Sequence, residues 1–176
     1  MITAENYYEE TAKIEQRTEL LDGEMIIMES PGLRHQLLLG GFISTFLPFT
    51  DSHKGIGYAI AAVDVMLDEF NIVVPDFIVT CDPQKFDEQK HNGAPDFVAE
   101  IVSNNRSNDY FHKLWLYQRS GVREYWIVNP MEKNIIVYTD LDQEKPYVMA
   151  YTFGDTVPVG ICEDFRIDFA EIERRL

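Results

Sequence analysis

The sequence predicts a single α/β domain built on a mixed β-sheet. Short apolar runs that suit strands alternate with amphipathic stretches that suit helices along the whole chain. The 176 residues, 45% of them hydrophobic, are enough to bury one substantial core. Because no repeat, linker or low-complexity tract divides the chain, we expect one domain over residues 1–176.

The first third of the chain predicts a helix, a hairpin and a second helix. The first helix runs through about Lys13. Asp22-Gly23 then lies between two apolar runs, which is a strong short-range signal for a hairpin. Ser30-Pro31 begins the second helix, whose apolar residues recur at helical spacing up to Pro48. We expect that helix to end at Pro48.

The middle third predicts three strands. They are residues 58–67, residues 72–80, which contain Pro75-Asp76, and residues 96–102. The last of these is apolar on both faces, as in a strand buried on both sides. It nevertheless carries Glu100 at its centre. Because a buried ionised carboxylate is costly unless it is paired or bound to a metal, Glu100 predicts a nearby cation.

The last third predicts one more helix and an antiparallel meander. The helix begins at one of several capping residues near Ser103-Asn104-Asn105 and ends at Gly121. The expected strands after it are residues 123–128, 134–139, 147–153 and 164–167, with a short helix at the end of the sequence.

The charge balance limits the partners that the chain can have. Thirty acidic residues oppose 15 Lys and Arg, for a net charge of −15, which argues against loose binding to polyanions. A local basic groove is still compatible with this balance. We expect a homodimer, because the C-terminal meander is apolar, and two copies could gather six cations around one groove: Arg34, Lys54, Lys85, Lys90, Arg106 and Arg119.

The sequence shows no signal for export or for membrane insertion. Its first residues contain no basic region followed by an apolar stretch, and no apolar run approaches the roughly 20 residues that span a bilayer. Cys81 and Cys162 lie far apart and are expected to be reduced thiols. We therefore expect a cytoplasmic protein without a membrane partner.

Geometry identifies the better acidic partner for Glu100. Asp96 lies on the same strand, four residues away, so the two backbones are roughly 13 Å apart. A single cation with oxygen ligands at about 2.0–2.6 Å cannot readily bridge that distance. Asp76 lies on another strand, and neighbouring strands are only about 4.8 Å apart. If the two strands are adjacent, Asp76 and Glu100 can bind one ion.

Lys113 is the candidate cationic group. If its helix runs back along the strand, Lys113 lies about eight residues into the helix, and a return of about 12 Å brings it level with Glu100. Three structural alternatives remain open. Asp109 and Lys113 could form a surface ion pair, Arg123 could neutralise Glu100, and Asp76 could face water.

These residues belong to a longer pattern that resembles the Uma2 family over nearly the whole chain. The pattern comprises Glu19-Leu20-Leu21-Asp22-Gly23-Glu24, Met28, Ser30-Pro31, His35, Pro75-Asp76, residues 94–103, Asp109, Lys113, Tyr117 and residues 121–130. The resemblance implies the PD-(D/E)xK nuclease superfamily, with a restriction-endonuclease-like mixed central β-sheet flanked by helices and additional antiparallel strands. It also implies a Mg²⁺-dependent DNA endonuclease, with Mn²⁺ as the other candidate ion.

The resemblance also implies roles for individual residues. Asp76 and Glu100 would be the two metal-binding acids, with the backbone carbonyl of Ile101 as a further ligand. Val102 stands where most of the superfamily has a lysine, and Lys113 matches a lysine that this family carries on the next helix. The alternative is a catalytically silent member that acts as a protein-interaction or assembly module. A third reading is a hydrolase of small phosphoesters.

Two further residues fit the family pattern but have structural alternatives. Glu19 matches an N-terminal acid that supports the metal site in this superfamily, or it is an exposed acid at a strand edge. His35 also fits the pattern, although a lone histidine on a helix is more often structural.

Overall fold

The computed structural model describes residues 1–53, 57–103 and 107–175, and the side chains of all of these except residues 107–110. Several predicted features therefore lie outside the described part: the helix caps Asn104 and Asn105, the cations Lys54 and Arg106, and the side chain of Asp109.

The described residues form four α-helices and thirteen strands. The helices are α1 (Ala4–Thr11), α2 (Leu33–Ser52), α3 (Ser107–Ser120) and α4 (Phe169–Glu173). The strands are β1 (Thr18–Leu21), β2 (Glu24–Ile27), β3 (Tyr58–Ala61), β4 (Val65–Asp68), β5 (Asn71–Val73), β6 (Phe77–Thr80), β7 (His91–Asn92), β8 (Phe97–Ile101), β9 (Glu124–Asn129), β10 (Asn134–Thr139), β11 (Tyr147–Thr152), β12 (Thr156–Pro158) and β13 (Arg166–Asp168).

The larger sheet has six strands in the order β11-β10-β9-β8-β6-β3. Its strand pairs are antiparallel except β8 and β9, which run parallel, so the sheet is mixed as predicted. Parallel neighbours need a crossover connection, and α3 supplies it between β8 and β9. This connection returns α3 along the length of β8, which is the arrangement that the position of Lys113 required.

An aromatic core lies between α2 and the six-stranded sheet. Phe46 of α2 packs against Phe77 of β6 and Phe97 of β8, with ring centroids 4.9 and 5.4 Å apart. Phe42 contacts Trp126 of β9 at 6.1 Å. All of these side chains are completely buried. The core therefore fixes the strands β6, β8 and β9 that position the candidate site.

The smaller sheet has five strands in the order β2-β1-β5-β4-β7. The hairpin of β1 and β2 turns at Asp22 and Gly23, whose φ angles of 48° and 77° suit a type I′ turn. This confirms the predicted hairpin. Because β1 lies between β2 and β5, it is not an edge strand.

Two predicted continuous strands are wrong, because the chain crosses between the two sheets within each of them. In residues 58–67 the break is at Ala62, whose φ is 51°, and β3 and β4 on either side belong to different sheets. In residues 72–80 the break is at Pro75-Asp76, between β5 and β6. Proline lacks the N–H that a strand ladder needs, so it marks the crossing.

The predicted end of the second helix is also wrong, because α2 continues through Pro48 to Ser52. A proline inside a helix removes one backbone hydrogen bond and costs about 3 kcal/mol. Phe49, beyond the proline, stacks on Phe165 with ring centroids 4.0 Å apart. This packing holds the last turn of α2 in place against that cost.

The C-terminal meander forms β10 and β11 as predicted. The short strand β12, which the sequence analysis did not identify, pairs with β13. Within the described part of the chain, no helix combines the length and the apolar character needed to cross a membrane.

Candidate active site

Asp76, which immediately precedes β6, lies opposite Glu100 of β8. β6 and β8 are antiparallel, with Phe77 opposite Ala99, and continuing that register by one residue places Asp76 opposite Glu100. The backbone N–H of Ile101 donates to Asp76 Oδ2 at 2.7 Å, which holds the Asp76 carboxylate beside the second acid. The predicted adjacency of these two strands is confirmed.

Lys113 of α3 lies next to Glu100. Its Nζ is 3.0 Å from Glu100 Oε1 and 2.7 Å from Glu19 Oε1. Lys113 and Glu100 are 4% and 5% exposed, so this is a buried ion pair. The helix therefore brings a cation to the second acid from thirteen residues further along the chain.

Tyr117, one turn after Lys113, also bonds to Glu100. Its hydroxyl donates to the same oxygen, Oε1, at 2.7 Å. No hydrogen bond joins Oε2 to any residue that the structure describes. Glu100 thus has one oxygen fixed by two donors from α3 and a second oxygen available for a ligand.

Glu19 is a buried acid of β1 and is 1% exposed. Its Oε1 accepts a hydrogen bond from the backbone N–H of Val74 at 2.8 Å in addition to the bond from Lys113. The alternative of an exposed strand-edge acid is therefore wrong. Glu19 is therefore a second buried acid that pairs with Lys113.

Arg123 does not neutralise Glu100, which removes one of the structural alternatives. Its Nη1 lies 3.2 Å from Asp96 Oδ1. The other oxygen of Asp96 accepts from the backbone N–H of Cys81 at 2.7 Å. Asp96 therefore connects the start of β8 to the residue that follows β6.

His35 of α2 contacts the first acid directly, which sequence reasoning did not anticipate. Its Nε2 lies 2.9 Å from Asp76 Oδ1. Its other ring nitrogen, Nδ1, is buried and has no hydrogen-bond partner among the described residues. Asp76 is thus held through both oxygens, by His35 and by the N–H of Ile101. The resemblance had included His35, but only the fold shows that it reaches Asp76.

Burial and charge set the protonation of the site. Desolvation is the main cause that raises the pKa of Glu100, to about 7. The charges of Asp76 and Glu19 also raise this pKa, whereas Lys113 and the hydrogen bond from Tyr117 lower it. Burial by itself would lower the pKa of Lys113, but the carboxylates of Glu100 and Glu19 outweigh it and raise that pKa. Lys113 is therefore a permanent cation, and the site has a surplus of negative charge.

These residues lie along a cleft of about 340 Å³. Its lining includes His35, Asp76, Glu100, Ile101 and Lys113, and Arg17 lies at its side. The predicted site residues other than Glu19 therefore line one concave surface, and Glu19 contacts Lys113.

Three of the cations expected to form a basic groove have other contacts. Lys90 is paired with Asp87 at 3.0 Å, and Arg119 is paired with Asp22 and Asp68. Lys85 donates to the backbone carbonyl of Ala94 at 2.8 Å. Arg34 is exposed at the start of α2.

Comparisons with known proteins agree with this architecture. A family model described as "Uma2: Putative restriction endonuclease" matches residues 4–170. The chain belongs to the Uma2 family. The crystal structure of a "putative nuclease belonging to DUF820" from Anabaena variabilis has a TM-score of 0.79 and 18% sequence identity, and the alignment covers 98% of this chain and 97% of that one. This likeness confirms the predicted mixed α/β fold. No curated protein sequence matches the chain.

The donor atoms of this Uma2 chain suit a hard divalent cation. In the described residues no group of three or more His, Cys, Asp or Glu side chains is placed to hold a metal ion. Two carboxylates, Asp76 and Glu100, nevertheless line the same cleft. Mg²⁺ commonly takes one or two carboxylates and completes its shell with water and substrate phosphate oxygens. The residues present therefore fit Mg²⁺ or Mn²⁺ held together with a phosphate substrate.

Proposed function

We propose that this protein is a Mg²⁺-dependent DNA endonuclease that hydrolyses phosphodiester bonds through Asp76, Glu100 and Lys113. The observation that carries the proposal is the convergence of these three side chains on one cleft, from the residue before β6, from β8 and from α3. The family's description as "Putative restriction endonuclease" and the neighbour's description as a "putative nuclease" support the same activity.

Asp76 and Glu100 would hold the metal, with the backbone carbonyl of Ile101 as a further ligand. Bound there, Mg²⁺ would polarise the scissile phosphate and lower the pKa of a coordinated water, and Mn²⁺ could replace it. Both carboxylates are oriented before any ligand arrives. His35 and the N–H of Ile101 hold Asp76, and Lys113 and Tyr117 hold Oε1 of Glu100.

Lys113 would orient the attacking water and stabilise the charge that develops on the phosphate oxygens. In the reaction the water oxygen forms a bond to phosphorus and gives up a proton to solvent, and the bond from phosphorus to one ester oxygen breaks, with its electron pair leaving on that oxygen, which takes up a proton and departs as the alcohol. Because Glu100 and Glu19 keep Lys113 protonated, it donates hydrogen bonds and is not the base that removes the proton of the water. Glu19 acts as a positioning residue for Lys113.

The placement of Lys113 argues for an active site over a silent module. Val102 cannot supply the cation that most of the superfamily carries on the strand, but Lys113 reaches Glu100 Oε1 from the next helix. A buried lysine between two acids is costly to maintain and adds little net stability. A chain without chemistry at this cleft would have no need of that arrangement.

DNA is the substrate that the family description favours. The net charge of −15 opposes long-range attraction of a polyanion, so binding would depend on the metal and on Lys113 within the cleft. We therefore expect binding to DNA to be weak without a divalent ion and to strengthen when the ion is added. A second copy of the chain is the protein partner that we propose.

The test is cleavage of supercoiled plasmid and of branched DNA with and without Mg²⁺ or Mn²⁺. We expect metal-dependent cleavage by the wild type and its loss in Asp76→Asn, Glu100→Gln and Lys113→Met. Glu88→Gln and Lys133→Met, which change exposed residues outside the cleft, serve as controls and should cleave normally. Cleavage retained in all three site variants contradicts the proposal, and absence of cleavage together with absence of metal binding supports the silent module. Turnover of small phosphoesters without cleavage of DNA would identify the third reading.

A further inference from the structure

β11 is an edge strand of the six-stranded sheet. All six of its residues pair with β10, from Tyr147 opposite Thr139 to Thr152 opposite Asn134. On its other side no strand is present in the part of the chain that the structure describes. The side chains of Tyr147, Val148 and Met149 are 68%, 58% and 55% exposed. A long apolar edge of this kind is a template for pairing with another strand.

The direction of the backbone groups along β11 follows from one hydrogen bond. Phe153, just beyond the strand, donates its N–H to the carbonyl of Lys133, on the β10 side. Since these groups alternate along a strand, the odd-numbered residues of β11 bond to β10 and the even-numbered ones face away. The outward groups therefore belong to Val148, Ala150 and Thr152.

Neither end of this outward edge offers a free N–H. Thr152 donates its N–H to Asp155 Oδ2 at 2.7 Å, and its carbonyl accepts from the N–H of Asp155 at 3.1 Å. At the other end stands Pro146, which has no N–H to donate. The open groups are therefore two N–H and two C=O, on Val148 and Ala150.

We infer that β11 pairs with β11 of a second copy of this chain, antiparallel about a two-fold axis at Met149. In this register Val148 of each copy lies opposite Ala150 of the other, and the four open groups of each edge form four hydrogen bonds across the interface. The sheet then continues as twelve strands through the dimer.

The neighbouring symmetric registers do not satisfy these groups. An axis at Ala150 places Val148 opposite Thr152, whose backbone groups are already bonded to Asp155. An axis at Val148 places Ala150 opposite Pro146, which lacks a donor. The self-complementary register at Met149 is therefore the one that the edge specifies.

The charge of the edge is suited to a copy of the same chain. Residues 146–152 contain no charged side chain, although the protein as a whole has a net charge of −15. Two such acidic molecules can therefore meet at this edge without placing like charges opposite each other. β11 is also separated from β8 by β10 and β9, so pairing at this edge leaves the cleft open.

The first test is the molar mass, measured by light scattering or sedimentation over a dilution series. We expect the wild type to have twice the 20.4 kDa of one chain. Ala150→Pro removes an outward N–H without removing a bond to β10, so it should be a folded monomer by circular dichroism and mass. Ala150→Thr keeps the N–H and should remain a dimer. A monomeric wild type at every concentration, or a dimeric Ala150→Pro, overturns the inference.

The second test is disulfide cross-linking, which measures the register. Met149 faces its own copy at a Cα separation of about 4.5–5.5 Å, so Met149→Cys should form a covalent dimer on mild oxidation. Two copies of Val148 are diagonal neighbours about 7–8 Å apart, so Val148→Cys should cross-link much more slowly. The wild type controls for Cys81 and Cys162. Cross-linking of Val148→Cys as fast as Met149→Cys overturns the register.

Discussion

The ammonium group of Lys113 lies 3.0 Å from Oε1 of Glu100, although the two residues are on different elements. The parallel pairing of β8 and β9 requires a crossover, and α3 returns along β8 to make it. The cation therefore reaches the second acid from a helix, while Val102, two residues after Glu100, carries no charge. The proposed chemistry requires a cation beside Glu100, whichever element of the chain carries it.

Replacing Lys113 should weaken both the fold and the activity. Lys113→Met leaves Glu19 and Glu100 buried without their shared cation, and breaking a buried pair from one side costs about 3–5 kcal/mol. Urea denaturation at pH 8 measures the free energy of unfolding. Lys133→Met is the matched control, because that lysine pairs with Glu173 on the surface and should contribute about 1 kcal/mol or less. Equal losses in the two variants would contradict the role of Lys113 as the internal cation.

Moving the lysine back to the strand should restore activity. Val102 lies two residues after Glu100, so a side chain there points to the same side of the strand. The double variant Lys113→Met with Val102→Lys should cleave DNA at least about tenfold faster than Lys113→Met alone, because one positioned donor is worth about 10²–10³ in rate. A folded double variant that is no more active than Lys113→Met would show that the two lysine positions are not equivalent.

His35 should tune metal affinity through Asp76. Its Nε2 is 2.9 Å from Asp76 Oδ1, so His35→Ala removes one of the two groups that orient this carboxylate. We expect Mn²⁺ affinity, measured by isothermal titration calorimetry, to fall about 10–100-fold. His35→Gln can still donate to Asp76 and should lose less. Unchanged Mn²⁺ affinity in His35→Ala would mean that His35 contributes to packing and not to the orientation of Asp76.

The stability of the metal-free protein should fall as pH rises through the range in which Glu100 titrates. Burial raises the pKa of Glu100 from its ordinary 4.5 to about 7, so the folded state binds this proton more tightly than the unfolded state. The stabilisation that comes from this bound proton is fully present below pH 4.5 and is lost as pH rises through about 7. The difference in free energy of unfolding between wild type and Glu100→Gln should therefore decrease over this range. A difference that stays constant or grows with pH contradicts the assignment.

Local signals in the sequence were sufficient for part of the fold. Asp22-Gly23 predicted its hairpin because both residues tolerate the positive φ angles that the turn requires. Glu100 predicted a buried partner because an isolated charge in an apolar strand is costly. Strand spacing then identified Asp76 over Asp96, and the register of β6 and β8 agrees.

Features that depend on distant contacts were not predictable. The helix α2 passes through Pro48 because Phe49 stacks on Phe165, which is more than a hundred residues away in the sequence. The breaks at Ala62 and Pro75 show where the chain changes sheets, and sheet membership is decided by tertiary packing. The contact between His35 and Asp76 joins two segments whose relative position only the fold defines.

The proposed mechanism requires that Asp76 and Glu100 bind one divalent ion at the cleft. Anomalous diffraction from a crystal soaked in Mn²⁺ tests it most directly, because the Mn²⁺ signal locates the ion without reference to activity. We expect a peak between the carboxylates of Asp76 and Glu100, and no such peak in an Asp76→Asn crystal soaked in the same way. A wild-type crystal with no peak at these two residues, or with its Mn²⁺ bound elsewhere in the cleft, would contradict the claim.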